Sequence, residues 1–185
     1  MSTTPKTQIA TRADRDALHA LQHASMRALA ASYYDEDVIE AFIAHVGTMD
    51  DALLDDGTYY TIHIGHTLAA CGGWTLRAPS YMTHAAGTVR TIRPVVTARS
   101  VFVAPAFARC GLGWRIMTRI EAEIVRAGHD RASLTALFSG VPLYRRLGYR
   151  SLEPVVLAMP DGLKFIGVRM EKRLNRELAH LAPAA

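Results

Sequence analysis

A loop with two glycines, lying between a strand-like segment and a helix-like segment, is the part of the sequence best suited to hold an anion. The apolar run Val101–Val103 is followed by Pro105, and Gly111 and Gly113 then precede residues with helical spacing. Glycines lack the Cβ atom that would block a ligand, and the first turn of a helix has unpaired N–H groups and a positive dipole end. The arrangement suits a nucleotide diphosphate, although a G-x-G pair at a helix start is about as often a plain tight turn.

A second segment that could carry chemistry follows and contains Tyr144. Residues Ser139–Tyr149 predict a loop, a short helix, a glycine stop at Gly148 and a new strand. A tyrosine hydroxyl can donate a hydrogen bond or a proton. Without the neighbouring glycine loop, a core tyrosine on an amphipathic helix would be the more frequent explanation.

With both segments in view, the chain resembles the GCN5-related N-acetyltransferase (GNAT) family. The acetyl-coenzyme A loop of that family runs Arg/Gln-x-x-Gly-x-Gly/Ala, and a Tyr-x-x-x-Gly-aromatic element follows it. The resemblance covers most of residues 8 to 173. The positions that match the two motifs are Gly111, Gly113, Tyr144, Gly148 and Tyr149.

The resemblance implies an α/β fold with a central mixed sheet flanked by helices, and transfer of an acetyl group from acetyl-coenzyme A to an amine. It implies that Phe102 and Val103 pair with the pantetheine arm through their backbone, and that Tyr144 donates a proton to the departing thiolate. Backbone amides of the loop would hold the pyrophosphate. The loop residues expected at this cofactor are Arg109, Cys110, Gly111, Leu112, Gly113 and Trp114.

Two positions depart from the family pattern. Ala108 stands where relatives usually carry Arg or Gln, and Arg109 follows one place later, which puts a side-chain contact from that position in doubt. Recognition by backbone amides survives this change because it does not depend on the side chain. Ser139 stands where many relatives place an Asn at the pantetheine, and its hydroxyl offers one such hydrogen bond rather than two.

No residue can be assigned as the general base from the sequence. The strand Arg99–Val103 lacks the glutamate that some relatives use, and an ordered water could equally carry the proton away. Four histidines have a suitable intrinsic pKa, although each is more often a surface or turn residue. They are His45, His63, His66 and His84. Tyr33, Tyr34 and Trp74 are expected to contact the acceptor, although such aromatics are more often simply core.

Apolar periodicity and turn residues predict the elements that position these groups. A single domain is expected at 8–173, after a loose leader at 1–7 and before a tail at 174–185. Residues 77–94 form an excursion without a readable pattern, and the element order implies a mixed sheet with helices on both faces. Helices are predicted at 13–31, at 35–46 and from Gly111 to a stop at Gly128, and strands at 58–64, 67–74, 101–103, 132–137, 149–159 and 165–170.

Composition restricts the function classes. The chain has 185 residues, a formal net charge of +4 and 50% hydrophobic residues, and no apolar run has the length of a membrane-spanning helix. Dispersed basic residues argue against a nucleic-acid partner, and a cytoplasmic location is expected. Cys71 and Cys110 lack the paired spacing of a metal site, so no metal is expected. Cys110 near a helix start is either a reactive thiol or, more commonly, a small loop residue.

Two functional hypotheses from different classes therefore remain. The first is an enzyme that acetylates an amine on a small molecule, a peptide or a protein, and the second is a non-catalytic domain that binds or senses acyl-coenzyme A. A third hypothesis, a nucleic-acid binder, predicts steeply salt-dependent DNA affinity. The sequence leaves open the acceptor, the length of the acyl chain and whether the protein forms a homodimer.

Overall fold

The computed structural model describes residues 4–49, 51–77 and 96–175. Within these residues a seven-stranded sheet runs in the order β1-β2-β3-β4-β5-β7-β6. The strands are Lys6–Ile9 (β1), Tyr59–Ile64 (β2), Thr67–Thr75 (β3), Thr97–Val103 (β4), Arg131–Ala136 (β5), Arg150–Ala158 (β6) and Lys164–Arg173 (β7). The α-helices are Arg15–Leu29 (α1), Glu36–Ala41 (α2), Ala52–Asp55 (α3), Leu112–Arg126 (α4) and Val141–Arg146 (α5).

The predicted mixed sheet is confirmed, and its single parallel pairing lies at its centre. All other neighbouring strands are antiparallel, and β4 and β5 are parallel. Only Thr97 and Ser133 are registered as a pair between them. Along the rest of β4, residues 98–103 have no strand partner on the β5 side within the described chain. The sheet is therefore open at its middle, next to the glycine loop.

A bulge interrupts β4 shortly after that pair. On the β3 side, Cys71 pairs with Phe102 and Gly73 pairs with Arg99, so two residues of β4 face a single residue of β3. The first of the two, Ser100, has a φ of 50°. This left-handed conformation is unfavourable for a residue with a Cβ atom, and a bulge of this kind bends the strand and increases its twist.

Helices α4 and α1 cover the sheet and bury its core. Their spacing places apolar side chains three or four residues apart on one face of each helix. The predicted helix after Gly111 is confirmed, and Gly128 follows its end with a φ of 91°. The α4 side chains that are fully buried are Ile116, Met117, Ile120 and Ile124, and those of α1 include Leu18 and Met26.

Several boundaries differ from the sequence prediction. Strand β1 begins at Lys6, inside the predicted leader, because it pairs with β2 from that residue onwards. The predicted helix at 35–46 is α2 followed by a π-helical turn at Phe42–Val46. Helix α3 was not predicted, and nearly all of the excursion at 77–94 lies outside the described residues. No helix in the described ranges has the length and apolarity needed to cross a membrane.

Candidate active site

The glycine loop presents a run of unpaired backbone N–H groups. Arg109 and Gly111 have φ values of 64° and 78°, and Gly111 caps the N-terminus of α4. The amides on either side of the run are bonded, since Ala108 N donates to Pro105 O and Arg115 N donates to Gly111 O. None of the amides of residues 109–114 donates to another described residue. Six adjacent free donors at the positive end of a helix are a site for an anion.

Gly113 is the point at which β4, α4 and α5 meet. An ideal Cβ built on Gly113 would lie 2.9 Å from Leu143 Cδ2 and 3.7 Å from Val103 Cγ2. Real Cβ atoms do not approach other atoms as closely as the first distance, so a larger residue at position 113 would require the end of the Leu143 side chain to move. The contact joins the loop motif to the tyrosine motif, which lie apart in the sequence.

Phe102 and Val103 form the last part of the open strand. They pair with Cys71 and Ala70 of β3 on one edge, and the other edge has no strand partner among the described residues. A strand edge of this kind offers backbone N–H and C=O groups to an extended ligand. The edge leads directly into the loop that begins at Pro105.

Tyr144 lies on α5 with its ring held on two sides. An ideal Cβ on Gly140 would lie 2.9 Å from Tyr144 Cε2, and the Tyr149 ring stands edge-on with 5.9 Å between centroids. The Tyr144 side chain is 8% exposed, and its hydroxyl makes no hydrogen bond to any residue that the structure describes. Burial raises the pKa of Tyr144 well above the ordinary value of about 10. The hydroxyl is therefore neutral and available as a donor.

A partly buried ion pair lies behind Tyr149. Lys172 Nζ is 2.6 Å from Glu121 Oε2, and the same ammonium lies 5.7 Å from the centre of the Tyr149 ring. The second oxygen of Glu121 and the Tyr149 hydroxyl are both buried. Burial raises the pKa of the Glu121 carboxyl, against the opposing effects of Lys172 and of the interaction of this hydroxyl with the carboxylate, which lower it. These groups back the ring that holds Tyr144.

Tyr34 joins the segment after α1 to the chain around Ser139. Its hydroxyl donates to Ile166 O at 2.9 Å and accepts from Phe138 N at 2.9 Å. Its ring stacks on Phe138 and Phe165 at centroid distances of 5.4 and 4.5 Å. Burial raises the pKa of Tyr34 to about 12, so both bonds persist at neutral pH. Ser139 is half-buried in the turn that Tyr34 fixes.

A groove of about 380 Å³ opens beside Tyr34. Aromatic and aliphatic side chains form much of it, and Asp35 and Lys164 add one carboxylate and one ammonium, neither of which has an ion pair within the described residues. The sequence analysis named Tyr33 and Tyr34 as candidates but did not name the β7 residues that line the groove. No local pattern near Lys164 shows that this strand lies beside the segment after α1. The lining includes Tyr33, Tyr34, Asp35, Phe138, Lys164 and Ile166.

Trp74 lies away from the groove that Tyr33 and Tyr34 line. It pairs with Ala98 at the beginning of β4 and its ring stands edge-on to His129 at 6.3 Å, after the end of α4. The structure therefore brings Tyr33 and Tyr34 together at one groove and does not bring Trp74 to it. Tyr33 is 51% exposed there.

The histidines proposed as bases occupy different places. His45 Nε2 is 3.8 Å from Asp161, His63 Nδ1 on β2 is buried without a partner among the described residues, and His66 is exposed in the β2–β3 turn. His84 lies outside the described residues. The described ranges hold no group of three or more His, Cys, Asp or Glu side chains that could bind a metal.

The two cysteines differ in exposure. Cys110 is exposed in the loop, with its Sγ 3.5 Å from Ala108 O, and Trp114 beside it is 48% exposed. Cys71 is fully buried, and burial raises the pKa of its thiol to about 11. At neutral pH the buried thiol stays protonated, and the exposed one borders the free amides.

A family model described as an acetyltransferase (GNAT) domain matches residues 79–174. No curated protein matches the chain in sequence.

Solved structures match the fold over nearly the whole chain. A GCN5-related N-acetyltransferase from Rhodopseudomonas palustris has a TM-score of 0.71 at 15% identity, covering 94% of this chain and 98% of that one. The PaiA N-acetyltransferase from Thermoplasma acidophilum, in complex with coenzyme A, has a TM-score of 0.64 at 14% identity, covering 92% and 99%. The putative acetyltransferase YncA from Salmonella typhimurium, with its cofactor acetyl-CoA, has a TM-score of 0.62 at 18% identity, covering 98% and 99%.

Proposed function

The chain belongs to the GNAT acetyltransferase family and is an acyltransferase, and from this premise we propose that it moves an acetyl group from acetyl-coenzyme A directly to an amine. The observation that carries the proposal is the run of free amides at 109–114 beside the open edge of β4. Two proteins of similar fold contain coenzyme A or acetyl-CoA, which supports this choice of acyl donor.

The loop and the strand edge have separate tasks in this proposal. The amides of residues 109–114 bind the pyrophosphate, because their dipoles and the start of α4 favour negative charge. The backbone of Phe102 and Val103 pairs with the pantetheine arm, and Ser139 contributes a hydroxyl on the opposite side. When bound, acetyl-coenzyme A supplies an activated acyl thioester.

Tyr144 acts as a hydrogen-bond donor to the leaving sulfur. A thiol has a pKa of about 8.5, so complete proton transfer from a tyrosine of ordinary pKa would be uphill by about 2 kcal/mol. Burial makes the transfer from Tyr144 harder still, because it raises the pKa of the hydroxyl. A neutral donor that stabilises developing negative charge needs no such transfer.

The groove at Tyr33 and Asp35 receives the acceptor. Its aromatic and aliphatic walls suit the apolar body of an amine, and the Asp35 carboxylate attracts its ammonium group. The amine must then lose a proton, which costs about 4–5 kcal/mol at neutral pH for a group with a pKa near 10.4. Water in the exposed groove carries that proton to solvent.

Calorimetry and a thiol-release assay test the proposal. We expect acetyl-coenzyme A to bind at a stoichiometry of one, and coenzyme A to be released when an amine from a panel of small molecules and peptides is added. Mass spectrometry of the amine should show the added acetyl group. Binding without release of thiol for any amine would favour the non-catalytic acyl-coenzyme A binding domain, and the absence of binding would reject both.

A further inference from the structure

A closed ring of hydrogen bonds lies behind the bulge in β4. Thr48 Oγ1 donates to Gln22 Oε1 at 2.8 Å, and Gln22 Nε2 donates to the Tyr59 hydroxyl oxygen at 2.7 Å. The Tyr59 hydroxyl donates to Ser100 O at 3.0 Å and also lies 3.2 Å from the Sγ of the buried Cys71. Ser100 Oγ donates to Thr48 O at 2.9 Å. Four residues from α1, β2, β4 and the segment after the π-helical turn are joined in this way.

Three of the four residues of the ring are buried, and Ser100 is half-buried. Gln22 and Tyr59 are fully buried and Thr48 is 6% exposed. Polar groups in such a place are unfavourable unless each finds a partner, and here the amide and both hydroxyls do. A satisfied buried network fixes the geometry of its members more strictly than apolar packing would. The ring thus specifies one arrangement of the segments that it joins.

Ser100 is the member with an unfavourable backbone. Its φ of 50° lies in the left-handed region, and the ring bonds both its carbonyl oxygen and its hydroxyl. The facing residue of β3, Gly72, leaves room for the bulge, since an ideal Cβ there would lie 3.0 Å from Val101 Cγ2. The ring and the missing side chain together hold a conformation that the chain would not adopt alone.

The position of the bulge connects the ring to the proposed reaction. It follows Thr97, where β4 leaves β5, and it comes just before Phe102 and Val103. Because a bulge turns the strand that contains it, the direction of these last residues depends on Ser100. None of the hydrogen bonds of the ring involves the loop at 109–114 or Tyr144.

We propose that Gln22, Thr48 and Tyr59 are positioning residues that hold Ser100 in the bulge and thereby aim the edge of β4 at the acyl thioester. This rests on the proposed function, in which that edge receives the pantetheine arm. The ring therefore governs the rate of acetyl transfer, and the amides of the loop govern the affinity for coenzyme A.

Tyr59→Phe and Thr48→Val test the proposal, because each removes one hydroxyl of the ring and little volume. We expect the kcat per coenzyme A-binding site to fall about tenfold or more in both, since small misplacements of reacting groups cost large factors in rate. The Kd for coenzyme A should stay within about threefold of the wild-type value, because the loop is untouched. If Tyr59→Phe does not fold, Thr48→Val, which lies at the edge of the ring, tests the proposal alone.

Two variants separate positioning from general loss of stability. Thr48→Ser keeps the hydroxyl and should retain wild-type kcat. Ile124→Val removes one buried methyl group near the end of α4 and should lower the Tm while leaving the kcat per site unchanged. An unchanged kcat in Thr48→Val would overturn the proposal, and so would a loss in Thr48→Ser as large as that in Thr48→Val.

Amide hydrogen exchange supplies a measurement that does not depend on activity. Peptides covering residues 97–104 should exchange faster in Thr48→Val than in the wild-type protein, Thr48→Ser or Ile124→Val. If the wild-type chain acetylates no amine yet this difference is found, the ring holds β4 and the proposed function is the part that fails. Equal exchange in all four proteins would reject the role of the ring.

Discussion

Leu143 of α5 lies against Gly113 of α4, so close that an ideal Cβ on the glycine would come within 2.9 Å of the leucine Cδ2. This contact brings the helix start that offers free amides next to the helix that carries Tyr144. A larger residue at position 113 would thus have to displace the end of the Leu143 side chain, whether or not a ligand is bound.

Gly113→Ala should impair both the glycine loop and the helix that carries Tyr144. The new methyl group displaces the Leu143 side chain at the contact between α4 and α5, so we expect kcat to fall about tenfold and the affinity for acetyl-coenzyme A to fall by a smaller factor. The double variant Gly113→Ala/Leu143→Ala restores room and should recover part of the kcat, measured by thiol release. If the second substitution makes no difference to the first, the contact is not the cause.

Gly111→Ala tests the left-handed residue at the helix start, with Gly128→Ala at the other end of α4 as its matched control. Both glycines have positive φ and open space around them, so each substitution should lower the free energy of unfolding by about 1–2 kcal/mol. Only Gly111→Ala should weaken acetyl-coenzyme A binding, by about tenfold in calorimetry, because it turns the loop amides. Equal effects of the two variants on affinity would contradict the assignment of the loop.

Tyr144→Phe should lower kcat about tenfold or more and leave the Kd for acetyl-coenzyme A nearly unchanged. The hydroxyl makes no hydrogen bond within the described chain, so its removal breaks no contact that supports the fold. Stability measured by thermal unfolding should therefore match that of the wild-type protein. An unchanged kcat would remove Tyr144 from the mechanism.

The pH profile of kcat should keep rising up to about pH 10, without a falling limb on the alkaline side. The rise comes from the acceptor amine, whose reactive form is neutral and whose ordinary pKa is near 10.4. Burial raises the pKa of Tyr144, and an acid with a raised pKa stays protonated to higher pH, so the donor is not lost in this range. A falling limb near pH 8 or 9 that disappears in Tyr144→Phe would show that the hydroxyl titrates there.

Thiol labelling should report on occupancy of the loop. Cys110 is exposed beside the free amides, and Cys71 is buried with a pKa raised to about 11, so native protein should react with maleimide at one thiol. Acetyl-coenzyme A should slow that reaction about fivefold or more by covering the loop. Peptide mapping identifies the labelled residue. A rate unaffected by saturating acetyl-coenzyme A would place the ligand away from Cys110.

Much of the fold follows from short-range patterns in the sequence. Apolar residues three and four apart predicted the helix that the structure shows from Leu112 to Arg126. The pair Gly65–His66 between two alternating segments predicted the β2–β3 hairpin. The sequence predicted the ends of the helices and strands less accurately. The π-helical turn at Phe42–Val46 has the same apolar spacing as an α-helix, so periodicity alone does not distinguish them.

The sequence also identified the parts of the candidate site that are local. Gly111 and Gly113 at a helix start, and Tyr144 before Gly148, are patterns of a few residues in which backbone conformation depends on the residues themselves. The groove shared by Tyr33 and Lys164 has no such local signal, because its two walls come from opposite ends of the chain.

What the sequence alone determined is therefore the set of short motifs, the helices and hairpins that carry them, and the family that they resemble. The tertiary structure decided the bulge at Ser100, the hydrogen-bond ring from Gln22 to Tyr59, and the separation of Trp74 from the groove. Local conformation follows from neighbouring residues, whereas these features exist only when segments far apart in the chain pack together and satisfy one another's buried polar groups.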